Sequence, residues 1–186
     1  MEIYENMKKA YYNNIFDVTR LEEYVHLVIY GLLAFFTPFM LGHPQMVVGT
    51  VVNAYLILGA TYLKGHKLLP LIILPTFGVV ARGMLFGPFT IFVIYMIPFI
   101  WAGNAILTYS YRWLRHAKMN YALSVAIGAT FKTAFLFGAA YALVKFSIVP
   151  ALFLTTMGLF QLYTALAGGA VAWGVVWGVE KLSKRA

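Results

Sequence analysis

From Tyr24 to Val179 the chain contains no aspartate or glutamate. Its six acidic residues, Glu2, Glu5, Asp17, Glu22, Glu23 and Glu180, all lie outside that stretch. The body between them is rich in Leu, Val, Ile, Phe and Ala, and mean hydropathy over the chain is +0.79. A water-exposed surface of that kind aggregates, whereas in a bilayer lipid is the solvent and the same surface is stable. The expected fold class is therefore all-α, an integral membrane bundle, because a lone helix satisfies its own backbone in hydrocarbon.

Formal charge is +8, which raises nucleic acid as a partner. The basic residues sit at the ends of apolar runs rather than on one soluble face, so attraction to anionic lipid head groups is the simpler account and nucleic acid is not expected. The absence of cysteine excludes disulfides, thiolate nucleophiles, Cys-ligated clusters and c-type haem attachment. The first 23 residues are polar and mixed in charge, which reads as a cytoplasmic or interfacial lead-in rather than a secretory signal. Tyr4, Tyr11, Tyr12 and Phe16 suit the head-group level there. The organisation expected is thus a segment over 1–23, a transmembrane domain over 24–180 and a basic tail over 181–186.

Six apolar spans can be drawn: Tyr24–Met40, Met46–Leu63, Leu68–Phe86, Phe89–Ser110, Tyr121–Phe146 and Ile148–Val179. Each is near or above the ~20 residues that cross a hydrocarbon core, with the first slightly short. The last is too long for a simple crossing, so an outer loop around Pro150 is expected. Lys8, Lys9 and Arg20 precede the first span. Lys64 and Lys67, with His66, follow the second. Arg112, Arg115 and Lys118, with His116, follow the fourth, and Lys181, Lys184 and Arg185 follow the sixth. The first and third connections carry no Lys or Arg, and the fifth has only Lys145 at its edge. Positive charge alternates with connection number, so both termini and the even connections belong in the cytoplasm of a cell membrane. Pro75 and Pro98 fall within spans and are expected to bend or break them.

Ala126, Thr130, Ala134, Gly138 and Ala142 recur every four residues in the fifth span, as do Ala170, Gly174 and Gly178 in the sixth. Such stripes admit close helix approach, within one bundle or against a partner.

Charge inside hydrocarbon is costly and needs a reason. Arg82, Lys132 and Lys145 qualify, and no acid in the spans can pair with them. Lys145 lies at the outer edge, where snorkelling to lipid phosphate suffices. Arg82 can reach an outer pocket or lipid phosphate. Lys132 is near mid-span, either facing a cavity or bonded structurally to carbonyls and hydroxyls of packed helices. Asn53, Asn104 and Gln161 can be explained by interhelical hydrogen bonds alone. Asn53, Arg82, Lys132 and Gln161 can also converge in the outer half of the bundle, with His43 and Gln45 above them. The result is a donor-rich, positive cavity for an anionic or carbonyl-rich small molecule.

Enzyme chemistry is not expected. There are no paired carboxylates and no nucleotide, hydrolase or zinc-protease motif. His26, His43, His66 and His116 are scattered, so neither a metal nor a haem is expected, and no cofactor is assigned. The spans also lack an acid for the proton or sodium relay of secondary transporters.

The stretch Phe160-Gln161-Leu162-Tyr163-Thr164-Ala165-Leu166-Ala167-Gly168-Gly169, with its glutamine and paired glycines, resembles the final helix of substrate-binding S components of energy-coupling factor (ECF) transporters. Gly78, Gly83 and Gly87-Pro88 are similar to their glycine-rich third span, and the six-span pattern covers the whole chain. The resemblance implies capture of a small, vitamin-like compound from outside, by a non-catalytic subunit that topples when a transmembrane coupling subunit and its ATPases act. In the first span those proteins often carry Ala-x-x-x-Ala against the coupling subunit. Here Gly31 and Ala34 stand three apart, and Ala170, Gly174 and Gly178 offer a second surface. Two other readings remain: a non-catalytic assembly subunit of a larger membrane complex, and a small enzyme holding lipid-linked phosphate with Arg82 and Lys132.

Overall fold

The structure is a computed structural model of the chain and describes residues 2–16, 18–83 and 91–183. The described residues are helical, without strands: α1 (Glu2–Tyr12), α2 (Arg20–Leu41), α3 (Gln45–Tyr62), a short 3-10 turn (Gly65–Leu68), α4 (Leu69–Arg82), α5 (Val93–His116), α6 (Tyr121–Lys145), α7 (Leu152–Met157) and α8 (Leu159–Ser183). Among the described residues five stretches are long and apolar enough to cross a membrane: α2, α3, α5, α6 and the run from Leu152 to Val179.

The expected third span differs. Helix α4 has 14 residues, about 21 Å at 1.5 Å per residue, short of a ~30 Å hydrocarbon core. It stops because Gly83 adopts φ 70 and donates its N–H to the Val79 carbonyl, the left-handed cap that glycine permits. The rest of that expected span, and the third connection with Gly87 and Pro88, lie outside the described residues. The expected sixth span divides. Phe146 to Ala151 turn the chain, with Ser147 at φ 58, and α7 ends at Gly158 before α8 begins. Pro75 and Pro98, expected to bend or break their helices, lie within α4 and α5, which run on as single helices through them.

Helix directions alternate. Gly31 faces Leu74, and Gly78 faces the Phe35 carbonyl, so α2 and α4 run parallel. Gly49 faces Thr164, and Gly168 faces Thr50 and Asn53, so α3 and α8 run parallel. Gly103 faces Leu136, and Gly128 faces Leu107, so α5 and α6 are antiparallel. These glycines are where neighbouring backbones come closest, the role small residues play in membrane bundles.

The start of α2 and the ends of α3 and α5 meet at one end of the bundle. Lys67 Nζ lies 2.7 Å from Glu23 Oε2 there, and the Lys64 N–H donates to Glu23 Oε1 at 2.7 Å. Glu23 is buried, with one carboxylate oxygen on each of these two donors. The last carbonyls of α3 have no intrahelical partner, and distant residues satisfy them. The N–H groups of Ile15 and Phe16 donate to the Thr61 carbonyl, and Asn14 Nδ2 to that of Tyr62. Arg112, fully buried, donates to the Ala60 carbonyl at 2.9 Å and to that of Leu63. Phe16, expected at the head groups, stacks on Tyr62 with ring centroids 5.9 Å apart.

The surface is inverted relative to a water-soluble protein. Phe131, Phe135, Phe137, Tyr141, Trp173, Trp177, Ile29, Leu32 and Phe36 are exposed, while Arg112, Lys132, Asn53 and Asn104 are buried. Aromatic rings meet cations at the basic end, with Lys67 over Tyr24 and Lys181 over Trp177. This is the pattern of a bilayer interface.

Candidate functional site: a lysine with one free donor above an apolar cavity

Helix α6 starts from Asn120, whose side chain accepts the Leu123 N–H at 2.9 Å, and runs on through Ala, Leu and Phe. Halfway along it stands Lys132, 2% exposed. Gly128 and Gly103 bracket it on the α5–α6 crossing. The close approach they permit brings Lys132 against Asn104 of α5. On the opposite side, the crossing of α3 and α8 carries Asn53 and Thr164.

Lys132 Nζ donates to Asn53 Oδ1 at 2.6 Å and to Asn104 Oδ1 at 2.9 Å. Both amides are oriented by their other atom. Asn53 Nδ2 donates to the Gly49 carbonyl at 2.9 Å and to Thr164 Oγ1 at 3.2 Å. Asn104 Nδ2 donates to the Ile72 carbonyl at 3.1 Å. Thr164 in turn donates to the Phe160 carbonyl at 2.7 Å. Each asparagine therefore turns an oxygen, not a nitrogen, towards the lysine. An ammonium has three donors. Two are used, and the third has no partner among the described residues.

Apolar clusters lie on both sides of this polar layer. Val48, Val93, Met96, Leu136 and Phe153 pack towards the start of α3. Leu56, Leu107, Ala129 and Ala165 pack towards the basic end. On the first side the packing leaves a cavity of about 90 Å³, lined by residues of α2, α3, α4, α5, α6 and α8. Its walls include Val48, Val52, Val79, Val93, Ile100 and Phe160, and its polar lining includes Lys132, Asn53, Asn104, Thr76, Thr164, Gln45 and Gln161. The Thr76 hydroxyl is tied up by Trp101 Nε1 at 2.7 Å. The side-chain amides of Gln45 and Gln161 have no hydrogen bond among the described residues and remain available.

Four of the six residues expected to bind substrate, Lys132, Asn53, Gln161 and Gln45, line this one cavity. Arg82 and His43 do not. Arg82 turns away to α2, where Nη1 donates to the Phe39 carbonyl at 2.7 Å and that of Met40 at 2.5 Å. Room for it exists because Gly42, at φ 62, has no side chain: a Cβ there would lie 2.3 Å from Arg82 Nε. Arg82 thus completes the end of α2, an accepted role for a cation at a helix C-terminus. His43 is exposed beside Pro44.

Asn104 belongs to the site although its position along the span placed it nearer the cytoplasmic end. The signal that identifies it is shared depth. In parallel helices α3 and α5, Asn53 and Asn104 both reach Lys132. Thr164, one turn before Gly168, carried no signal in the sequence beyond its proximity to Gln161.

The small-residue positions separate into two sets. Gly31 and Ala34 are buried inside the bundle, with Gly31 against Leu74. Ala170 is exposed beside Trp173, and Gly174 and Gly178 have nothing within 4 Å of an added Cβ. The α6 stripe also faces outwards at Thr130, Ala134 and Ala142, and Gly138 has nothing within 4 Å of an added Cβ.

Chemically the site can offer one charge-assisted donor and neutral amides to an acceptor. Among the described residues no three His, Asp or Glu side chains gather as metal ligands. No protein-family model, no curated protein and no solved structure gives a significant match to the chain.

Proposed function

We propose that the chain is a multi-pass protein of the cell membrane that holds a small, anionic, vitamin-like compound in the cavity at Lys132. In this reading it is the substrate-binding subunit of an ATP-driven uptake system of the ECF type. The observation that carries the binding function is the buried Lys132 amino group, which lines an apolar cavity and has no carboxylate beside it. A buried charge of that kind is expensive unless something compensates it.

Six crossings with both termini cytoplasmic are part of the proposal. The alternating helix directions and the gathering of Lys64, Lys67 and Arg112 at one end support it through the positive-inside rule. The cavity then opens towards the outer leaflet, the side from which substrate arrives. The lack of an acid for ion coupling supports dependence on a separate energy source. The open face at Ala170, Gly174 and Gly178 supports contact with a coupling subunit.

The test is mass spectrometry of small molecules that co-purify with the chain and with Lys132→Ala, alongside thermal shifts across a vitamin and precursor panel. An anionic compound retained by the wild type and lost from Lys132→Ala is expected. No retained compound and no shift would end the reading. The outward α6 stripe favours one alternative, an assembly subunit of a larger membrane complex. Co-purification of a stable complex without ATPases would establish that alternative instead.

A further inference from the structure

The position of Arg82 narrows the ligand class, and the narrowing rests on the binding function just proposed. Arg82 turns its Nη1 to the Phe39 and Met40 carbonyls, so among the described residues one cation lines the cavity and no anion does. We infer that the site takes a monocarboxylate with a short apolar body, its carboxylate seated on the free donor of Lys132 and its body along Val48, Val79, Val93 and Phe160.

Charge selects the class first. A ligand of charge −1 neutralises the site, a neutral ligand leaves the ammonium uncompensated, and a dianion buries a charge of its own without a partner. The donor inventory selects further. Both Asn53 and Asn104 spend their Nδ2 donors on Gly49, Thr164 and Ile72, and the hydroxyl of Thr164 is spent on Phe160. What remains is one N–H of Lys132 and the amides of Gln45 and Gln161. Donors of this kind suit the oxygens of a carboxylate. A phosphate brings a second charge with no second cation in the cavity lining to meet it. Size and walls complete the description. A cavity of about 90 Å³ holds roughly six to nine water-sized heavy atoms, the scale of hexanoate or benzoate, and its aliphatic lining suits their bodies.

The test is titration calorimetry at neutral pH with the full chain in lipid nanodiscs. The probes are hexanoate, benzoate, hexanamide, adipate and inorganic phosphate. Saturable binding of hexanoate or benzoate is expected, at least tenfold weaker in Lys132→Met and at least tenfold weaker for hexanamide, with no binding of adipate or phosphate. Arg82→Ala should stay within twofold of the wild type. If Lys132→Met does not fold, Val79→Phe fills the cavity while leaving the lysine network intact, and should abolish the binding. Hexanoate uptake unchanged in both variants would be partition into lipid and would overturn the inference. Adipate or phosphate bound more tightly than hexanoate, through Lys132, would overturn the monocarboxylate class and leave the binding function standing. If neither these probes nor a vitamin and precursor panel bind, both fail together.

Discussion

Lys132 donates to the Asn104 side-chain oxygen at 2.9 Å, and Asn104 passes the connection on by donating to the Ile72 carbonyl at 3.1 Å. Helices α6, α5 and α4 are joined by this relay at mid-bundle. The same relay sets the charge seen by the cavity, because Asn104 is neutral and nearly the shape of an aspartate.

Asn104→Asp should therefore separate packing from charge. It places a carboxylate against the Lys132 ammonium and neutralises it internally. The expected outcome is a folded protein that has lost anion binding by at least tenfold, measured by calorimetry with thermal unfolding as the control. Asn104→Leu removes an acceptor from the ammonium and a donor from Ile72. It should cost about 1–3 kcal/mol, the range for leaving buried polar groups unsatisfied, read as a lower melting temperature in detergent.

Two glycines of α8 should behave oppositely. A Cβ on Gly168 would lie 2.7 Å from both Asn53 Cβ and the Thr50 carbonyl, and 2.8 Å from the Ala54 nitrogen. Two of those three atoms are backbone and cannot rotate away. Gly168→Ala should cost about 1–3 kcal/mol, as overpacking does, and should weaken ligand binding by displacing Asn53. Gly174→Ala meets nothing within 4 Å and should change stability by less than about 0.5 kcal/mol. Guanidinium-free thermal scans of the two variants decide the comparison.

Arg112 is buried against the end of α3, where it bonds the Ala60 and Leu63 carbonyls. Hydrogen bonds from a charged donor contribute about 1.5–3 kcal/mol. Arg112→Met should therefore destabilise the chain by at least about 1.5 kcal/mol, and Arg112→Lys should recover only part of the loss, since a point charge cannot reproduce the fork. Hydrogen exchange should report the damage at residues 60–63 before it appears elsewhere.

Glu23 serves two groups at once, the Lys64 N–H and the Lys67 ammonium, both at 2.7 Å. Glu23→Ala should cost about 1–3 kcal/mol. Because the carboxylate side chain is 4% exposed, the wild-type contribution should change little when salt is raised, unlike that of a surface pair. Unfolding at low and high ionic strength checks the point.

Much of the architecture was legible because hydrocarbon imposes few solutions. An acid-free stretch with alternating basic connections led to an alternating helical bundle, and an unpaired mid-span lysine led to a polar layer with Asn53, Gln161 and Gln45 around one cavity. The misreadings share a cause, which is that each depended on a partner distant in sequence. Arg82 was assigned by its depth along a span, but a long side chain goes where acceptors are, and the end of α2 at Gly42 supplied them. Arg112 read as a connection charge because a cluster of Arg and His resembles a solvated turn, and its burial depends on the unfilled carbonyls of α3. Glu23 was counted outside the apolar body for the same reason. Asn104 was misplaced in depth because its span was counted from Phe89, whereas α5 begins at Val93. Hydropathy continues past Gly83 in the third span, whereas backbone conformation rather than polarity ends helix α4 there.

The clasp at the end of α3 also dictates an order of events during synthesis. Its Tyr62 carbonyl is taken by Asn14, 48 residues earlier, and its Ala60 carbonyl by Arg112, 52 residues later. The upstream half of the clasp exists when α3 leaves the ribosome, and the downstream half does not. At ordinary translation speeds of 5–20 residues per second the wait is roughly 3–10 s. During that interval the Thr61 and Tyr62 carbonyls are already taken, while those of Ala60 and Leu63 wait for Arg112. A chain trimmed through Phe16 would insert α3 with the carbonyls of Thr61 and Tyr62 open as well, so the leading residues act as a built-in assembly factor for the helix that carries Asn53.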